Sequence, residues 1–170
     1  MIELLILYEL KNKVLTMYGI SKEIHSQFSV LTTPSYGTIK PALNRLEKSG
    51  FVKTQKTISS GGRPSTFYSI TKTGEEELKN LLLASPQDNP IQFLPTARVR
   101  LSCAEVLNEQ EQKELFKLIK HKAENIMIDT KNIIESKQIE FYQKMVFDNL
   151  LCEYNNLISL VEVLSRASKN

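Results

Sequence analysis

The segment from Ser35 to Gly50 constrains the fold of this chain more than any other. Apolar side chains recur at Ile39, Leu43 and Leu46, spacings of four and three that place them on one face of a helix. Ser35 is a favourable N-cap, with a hydroxyl that can accept a hydrogen bond from a free amide, and Gly50 is a favourable stop. The opposite face is polar and basic and carries Tyr36, Thr38, Lys40, Asn44, Arg45 and Lys48. Contacts with phosphates and base edges in a DNA major groove need such side chains, although a solvated surface helix has the same pattern.

Two short helices are predicted upstream and give the outline of a helix-turn-helix. The first covers residues 2–11. The second begins after Thr16, a predicted cap, and its apolar residues Ile20, Ile24 and Phe28 are spaced by four. Because many three-helix domains share this outline, the choice of fold depends on the segment that comes after Gly50.

The residues after Gly50 predict a β-hairpin. Residues 51–58 and 65–70 are rich in β-branched side chains, and the turn-forming residues between them include a Gly-Gly pair. A hairpin that directly follows a candidate recognition helix is a wing, and its tip would present Arg63 to the minor groove or to a phosphate. Thr71 is then predicted to cap a further helix.

The second half of the chain is predicted to be helical. Pro95 can open a short helix, Asn108 can cap a long one, and a last helix over residues 144–167 has apolar residues in unbroken threes and fours. These are Phe147, Leu150, Leu151, Tyr154, Leu157, Ile158, Val161 and Leu164. Two amphipathic helices without a third layer leave apolar surface in water, which favours dimerisation through these residues over the alternative, an intramolecular bundle.

The predicted fold is therefore mainly α with a small β-hairpin. A winged helix-turn-helix domain is expected over residues 1–84, a linker over 85–95, and an α-helical dimerisation or effector domain over 96–170.

Charge is unevenly distributed along the chain. The net charge is +3, but residues 11–72 hold ten basic and two acidic side chains, whereas residues 85–170 hold 11 basic and 12 acidic ones. A local basic excess is expected of a module that binds a polyanion. A winged helix that docks on proteins without touching DNA is the alternative, and it predicts acids or apolar residues on the exposed face of residues 36–48.

Other classes of function lack their characteristic residues in the sequence. No apolar run approaches the roughly 20 residues of a membrane span, and the first ten residues do not resemble a signal peptide, so we expect a cytoplasmic protein. The cysteines, Cys103 and Cys152, are far apart and are expected to be reduced thiols. No catalytic pairing and no metal-ligand spacing is recognisable, so we expect neither an enzyme nor a cofactor.

Three separated blocks of residues resemble the winged-helix signature of PadR-type bacterial transcriptional regulators. They are the Ser-Tyr-Gly-Thr-Ile-x-Pro-Ala-Leu-x-Arg-Leu-Glu-x-x-Gly run over residues 35–50, Gly-Arg-Pro over 62–64, and Tyr-Ser-Ile-Thr-x-x-Gly over 68–74. Tyr18-Gly19-Ile20 is similar to the start of that family's second helix. The helices after Asn89 resemble, in length and pattern, the longer Vir-type C-terminal domain of the same family.

This resemblance implies a homodimeric repressor that binds an inverted-repeat operator in double-stranded DNA. The candidate DNA-binding residues are Ser35, Tyr36, Thr38, Lys40, Arg45, Lys48 and Arg63. The resemblance also implies a small apolar or aromatic effector, bound between the winged domain and the helical domain. Lys40 stands where the family usually has a tyrosine, and the chain has no tryptophan with which to stack a flat ligand.

Overall fold

The computed structural model of the chain describes residues 1–58, 64–86, 89–136 and 138–167. Its elements are α1 (Ile2–Leu10), β1 (Leu15–Thr16), α2 (Met17–Phe28), α3 (Tyr36–Lys48), β2 (Val52–Ile58), β3 (Pro64–Ile70), α4 (Lys72–Leu83), α5 (Pro90–Ser102), a short 3-10 helix (Ala104–Val106), α6 (Glu109–Ser136) and α7 (Phe141–Ala167). Two compact units are formed, one by residues 1–84 with 98–103, the other by residues 85–97 with 104–170. The predicted fold class is confirmed.

Helix α1 is the centre of the first unit. It packs against α2, α3 and α4, and six of its nine residues are buried. Each surrounding helix turns its apolar stripe towards the core, as their spacing of threes and fours predicts. The buried residues are Ile20, Ile24 and Phe28 in α2, Ile39, Ala42, Leu43 and Leu46 in α3, and Leu78 and Leu82 in α4.

The strands form one antiparallel sheet in the order β1-β3-β2. The hairpin pairs β2 with β3 from Val52 opposite Ile70 to Ile58 opposite Pro64, which confirms the predicted wing strands. Strand β1, which pairs Leu15 with Tyr68, was not predicted, because two residues are too few to show a period of two. The hairpin tip with Arg63 lies outside the described residues.

Threonine caps and one close glycine contact connect the wing to the helices beside it. The hydroxyls of Thr16 and Thr71 accept hydrogen bonds from the amides of Gly19 and Gly74, at 3.1 and 3.0 Å, so both predicted caps are confirmed. Thr71 also donates to the Gly50 carbonyl at 2.8 Å. Gly50 itself has a φ of +77°, the left-handed conformation expected of the residue that ends α3.

In the second unit, α6 and α7 pack against each other, an arrangement we call the helical arm. The predicted cap of α6 is confirmed as a capping box, in which Asn108 and Glu111 exchange side-chain to amide hydrogen bonds of 2.8 and 2.9 Å. Of the eight apolar residues predicted for dimerisation, Tyr154, Leu157 and Val161 are already buried within one chain, and the other five are partly buried.

Helix α5 begins at Pro90, not at Pro95 as predicted, so it includes residues 90–95 of the predicted linker. Asn89 caps it, since its side-chain oxygen accepts a hydrogen bond from the Ile91 amide at 3.0 Å. Proline suits the first position of a helix, where its missing N–H has no partner to lose. Pro95 lies inside the helix instead.

Arg100 is a buried cation that the sequence did not single out. Only 4% of its surface is exposed, and its guanidinium donates to the Leu82 carbonyl at 2.7 Å and to the Ala84 carbonyl at 2.6 Å. Burial lowers the pKa of this guanidinium to about 10. The cation therefore satisfies carbonyls at the C-terminal end of α4, where a positive charge is favourable.

Glu9 is a buried acid on α1. One carboxyl oxygen accepts a hydrogen bond of 3.0 Å from Gln27 on α2, and the other is buried without a partner in the described part of the chain. Burial, with a smaller contribution from the charge of Glu23, raises the pKa of this carboxyl to about 7, against the opposing effects of Lys13 and the Gln27 hydrogen bond. The carboxyl is therefore protonated more readily in the folded chain than in the unfolded one.

We expect Gly74→Ala to destabilise the first unit by about 2 kcal/mol or more, because an added Cβ would overlap the Phe51 backbone carbonyl and come within 2.9 Å of Ile70. The measurement is the free energy of unfolding in urea. Gly37→Ala is the matched control, since its Cβ would meet only the Ser35 hydroxyl at 3.6 Å. Alanine inside a helix should raise stability there by about 0.5–1 kcal/mol. Equal effects of the two substitutions would contradict the packing described at Gly74.

We expect Glu9→Gln to remove a pH dependence of stability. The pKa of Glu9 is raised on folding, so its favourable contribution is complete below its unfolded value of 4.5 and is lost as the pH rises through about 7. Between about pH 4.5 and pH 8 the free energy of unfolding of the wild-type chain should fall by roughly 2–3 kcal/mol relative to that of the variant. Urea unfolding of both proteins across this range measures the difference. Parallel stability profiles would show that Glu9 titrates normally.

Candidate nucleic-acid interface

Helix α3 presents a continuous polar face to solvent. Ile39 and Leu43 are fully buried, whereas all six described residues among the predicted DNA contacts are exposed. These are Ser35, Tyr36, Thr38, Lys40, Arg45 and Lys48. The division results from packing on α1, since the apolar stripe that covers the core leaves every residue opposite it in water.

Ser35 occupies the N-cap position of α3, but its hydroxyl does not cap an amide as predicted. Its backbone is extended, as a cap requires, and its carbonyl accepts from the amides of Thr38 and Ile39 at 2.9 and 3.0 Å. The hydroxyl lies 3.2 Å from the Thr38 hydroxyl instead. A nearby hydroxyl competes successfully with the amides, so both side chains stay at the exposed start of the helix.

Arg45 is tied to α1. Its Nε donates to a carboxyl oxygen of Glu3 at 2.7 Å, in an ion pair that stays largely exposed. Lys40 and Lys48 form no ion pair within the described residues, so their charges are available to an external anion. Arg45 retains its terminal guanidinium nitrogens on the exposed face, but Glu3 neutralises part of its field.

Helix α2 adds residues to this face that were not predicted. Tyr18, Lys22 and His25 are exposed and share one side of the helix through spacings of four and three, opposite its buried stripe. With Tyr36 they border a hollow of about 250 Å³. Its lining is Tyr18, Ser21, Lys22, His25, Thr33, Pro34 and Tyr36. The spacing of these residues on α2 was visible in the sequence, but their position beside the start of α3 was not.

The two acids of the basic segment are both engaged by neighbours. Glu23 pairs with Lys13 at 2.6 Å, and this hydrogen bond lowers the pKa of Glu23. Glu47 accepts a hydrogen bond of 2.5 Å from the Thr54 hydroxyl on the wing. Lys53 and Lys56 on β2 are also exposed. The segment of residues 11–72, with ten basic and two acidic side chains, therefore presents a net positive surface.

Membrane spans and metal centres are both missing from the described residues. In the described ranges, no helix is long and apolar enough to cross a membrane. Within the same ranges, no three His, Cys, Asp or Glu side chains are grouped so that they could hold a metal ion.

A helix-turn-helix followed by a two-stranded wing, with a basic recognition helix exposed beside it, defines the winged helix-turn-helix class. Residues 6–80 match the model of the PadR-like family of transcriptional regulators. The chain belongs to this family. The three signature blocks that resembled it in the sequence all lie within the matched residues.

Several solved structures are similar to the chain. The crystal structure of Bacillus subtilis PadR in complex with operator DNA is 20% identical, with a TM-score of 0.45 over 98% of both chains. A PadR family transcription regulator from hypervirulent Clostridium difficile is 29% identical, with a TM-score of 0.41 over 46% of this chain and 79% of that one. The protein smu.1704 of Streptococcus mutans is 31% identical, with a TM-score of 0.40 over 47% and 71%. No curated protein matches the chain.

Proposed function

We propose that this PadR-family regulator is a homodimeric repressor that binds an inverted repeat in double-stranded DNA and is released by a small-molecule effector. The observation that carries the proposal is the polar and basic face of α3, exposed along its whole length and extended by α2. A docking module for proteins would need acids or apolar residues in these positions.

The side chains on this face are suited to different contacts with DNA. Lys40, Lys48 and Lys22 are exposed cations that suit phosphates, which position a protein without specifying the sequence. Ser35, Tyr36 and Thr38 lie at the start of α3, the end that reaches base edges in helix-turn-helix complexes. Arg45 would contribute less to DNA binding than the lysines, since its Nε already donates to Glu3. Arg63 would act from the wing tip, as its place in the sequence indicates.

An exposed apolar surface on the arm supports a dimer. Phe141, Tyr142 and Val146, near the start of α7, are 67%, 82% and 65% exposed, and Ile128 near the end of α6 is 55% exposed. These side chains extend the predicted set of eight, part of which is already used inside one chain. Covering them with a second copy would remove apolar area from water. A two-fold dimer would place its recognition helices roughly 34 Å apart, in successive major grooves.

Release from the operator requires a ligand that distinguishes two states of the protein. An effector shifts the equilibrium only by the difference between its affinities for the DNA-binding state and the incompetent state. A repressor with such a ligand loses its DNA affinity when the ligand is present. An activator would bind the same operator but raise transcription, so transcription from an operator-linked promoter distinguishes the two roles.

We expect Lys40→Ala and Lys22→Ala each to weaken DNA binding and to reduce its salt dependence. Each removes about one phosphate contact, so the slope of log affinity against log salt should become shallower by about 0.9. Arg63→Ala should act in the same way. Fluorescence anisotropy with a labelled duplex, repeated at several salt concentrations, measures both quantities.

Lys131→Ala is the control for these variants, because Lys131 is an exposed lysine on α6 in the other unit. For this variant the slope of log affinity against log salt should equal that of the wild type. If Lys40→Ala and Lys22→Ala also kept the wild-type slope, the placement of DNA on the α2–α3 face would be wrong.

We expect the double variant Phe141→Ser with Val146→Ser to dissociate more readily than the wild type. In a two-fold interface each substitution occurs in both copies, so four apolar side chains are removed. The dissociation constant of the dimer should therefore rise by about tenfold or more. Sedimentation velocity over a range of protein concentrations measures it. Val30→Ser, at a side chain that is 90% exposed in the first unit, should have no effect. A wild-type protein that stays monomeric would exclude the dimer.

A further inference from the structure

A basic groove runs along the helical arm, in a part of the chain without a basic excess. It has a volume of about 350 Å³ and lies between α6 and α7. Its lining consists of Lys113, Phe116, Lys117, Lys120, Val161, Glu162, Ser165 and Arg166. Four of these eight residues are cationic and one is acidic, whereas residues 85–170 as a whole hold 11 basic and 12 acidic side chains. Positive charge is thus concentrated at the groove.

Helical spacing produces this concentration. Lys113, Lys117 and Lys120 follow one another at intervals of four and three, so they share the side of α6 that borders the groove. On α7, Glu162 and Arg166 are four residues apart and share the opposite wall. The two walls therefore present long flexible cations to the same space.

Two of the four cations are already partnered. Lys113 pairs with Glu109 at 2.6 Å, and Lys120 pairs with Glu162 at 2.7 Å. The second pair joins α6 to α7, and its hydrogen bond raises the pKa of Lys120 and lowers that of Glu162. In the described part of the chain neither Lys117 nor Arg166 forms an ion pair. Arg166 still interacts with Glu162, since its charge contributes to the lowered pKa of that carboxyl, but within the described residues neither Lys117 nor Arg166 is fixed in a salt bridge.

The base of the groove is apolar. Phe116 and Val161 line it and are only 5% and 2% exposed, so they form its floor while the lysine and arginine side chains form its rim. An inorganic anion would pair with the cations of the rim but leave the apolar floor exposed to water. A neutral apolar molecule would cover the floor and leave the rim unused. The lining fits a ligand that has both an anionic group and an apolar body.

We propose that this groove binds an amphipathic organic anion, with its carboxylate or sulfonate between Lys117 and Arg166 and its hydrocarbon part on Phe116 and Val161. This inference gives the proposed effector a binding site and a chemical class. The effect of the ligand on DNA binding rests on the proposed function. The Lys120–Glu162 pair positions the two walls. A volume of about 350 Å³ is within the range of sites for small ligands.

Binding is tested with decanoate as the probe, by isothermal titration calorimetry on the full chain without DNA. Decanol, which has the same apolar chain, and inorganic phosphate are the comparison ligands. Decanoate should bind at least about tenfold more tightly than either, a difference of about 1.4 kcal/mol. If decanol bound as tightly as decanoate, the negative charge would not contribute to binding. If phosphate bound as tightly, the apolar floor would not contribute. Either result, or no binding of decanoate, overturns the proposal.

Variants locate the site. Lys117→Gln with Arg166→Gln should lower decanoate affinity by about tenfold or more, because two charge-assisted contacts are lost. Lys131→Gln with Lys144→Gln removes the same charge from exposed positions on the same two helices outside the groove, and should leave the affinity unchanged. Equal losses in both double variants would place the ligand elsewhere.

The effect of decanoate on DNA binding is measured separately from decanoate binding itself. Decanoate should weaken DNA binding of the wild type and leave that of the Lys117→Gln, Arg166→Gln variant unaffected. A protein that binds decanoate in the groove but whose DNA affinity does not respond would overturn the effector role. A protein that binds decanoate but no DNA would refute the proposed function instead, so the two failures are distinguishable.

Discussion

The burial of α1 is the interaction on which the first unit depends. This helix is apolar almost all round, with Leu4, Leu5, Ile6, Leu7 and Leu10 each at most 3% exposed, so it must be enclosed by other elements. Helices α2, α3 and α4 enclose it, each through a stripe only one face wide. Their opposite faces then have to be polar, and in α3 the exposed face is also basic. The exposed basic surface is therefore a consequence of how the core is built.

Charged residues at the edge of this core are each fixed by a specific partner. Arg45 is held by Glu3, Glu23 by Lys13, and Arg100 by the carbonyls at the end of α4. The buried carboxyl of Glu9 is the exception, since one oxygen has no partner in the described residues and its pKa is raised to about 7. A buried carboxyl at such a pKa couples the packing of α1 on α2 to pH in the neutral range.

Much of this fold could be predicted from the sequence because its signals are local. Periodic apolar residues identified α2 and α3, and the caps at Thr16, Thr71 and Asn108 located three helix starts within a residue. The start of α5 was misplaced because Pro90 and Pro95 are both acceptable first residues, and only the Asn89 cap decides between them. Strand β1 has too few residues to show a pattern. Pairings such as Arg45 with Glu3, 42 positions apart, have no local signal at all.

The candidate site was predictable in part for the same reason. The exposed face of α3 is fixed by its own spacing, whereas the contribution of Tyr18, Lys22 and His25 depends on α2 lying beside the start of α3. The arm groove depends on how α6 and α7 lie side by side, which brings together residues such as Lys120 and Glu162, 42 positions apart. The spacing of the lysines on α6 was therefore uninformative until α7 was placed opposite them.

Selection of bound duplexes from a random DNA pool at a defined salt concentration tests the central claim most directly. If two copies present matched basic recognition helices, the enriched sequences should contain an inverted repeat, with half-sites about one helical turn apart from centre to centre. Enrichment of no sequence at a salt concentration where the protein remains folded would contradict the account and favour a module that docks on other proteins.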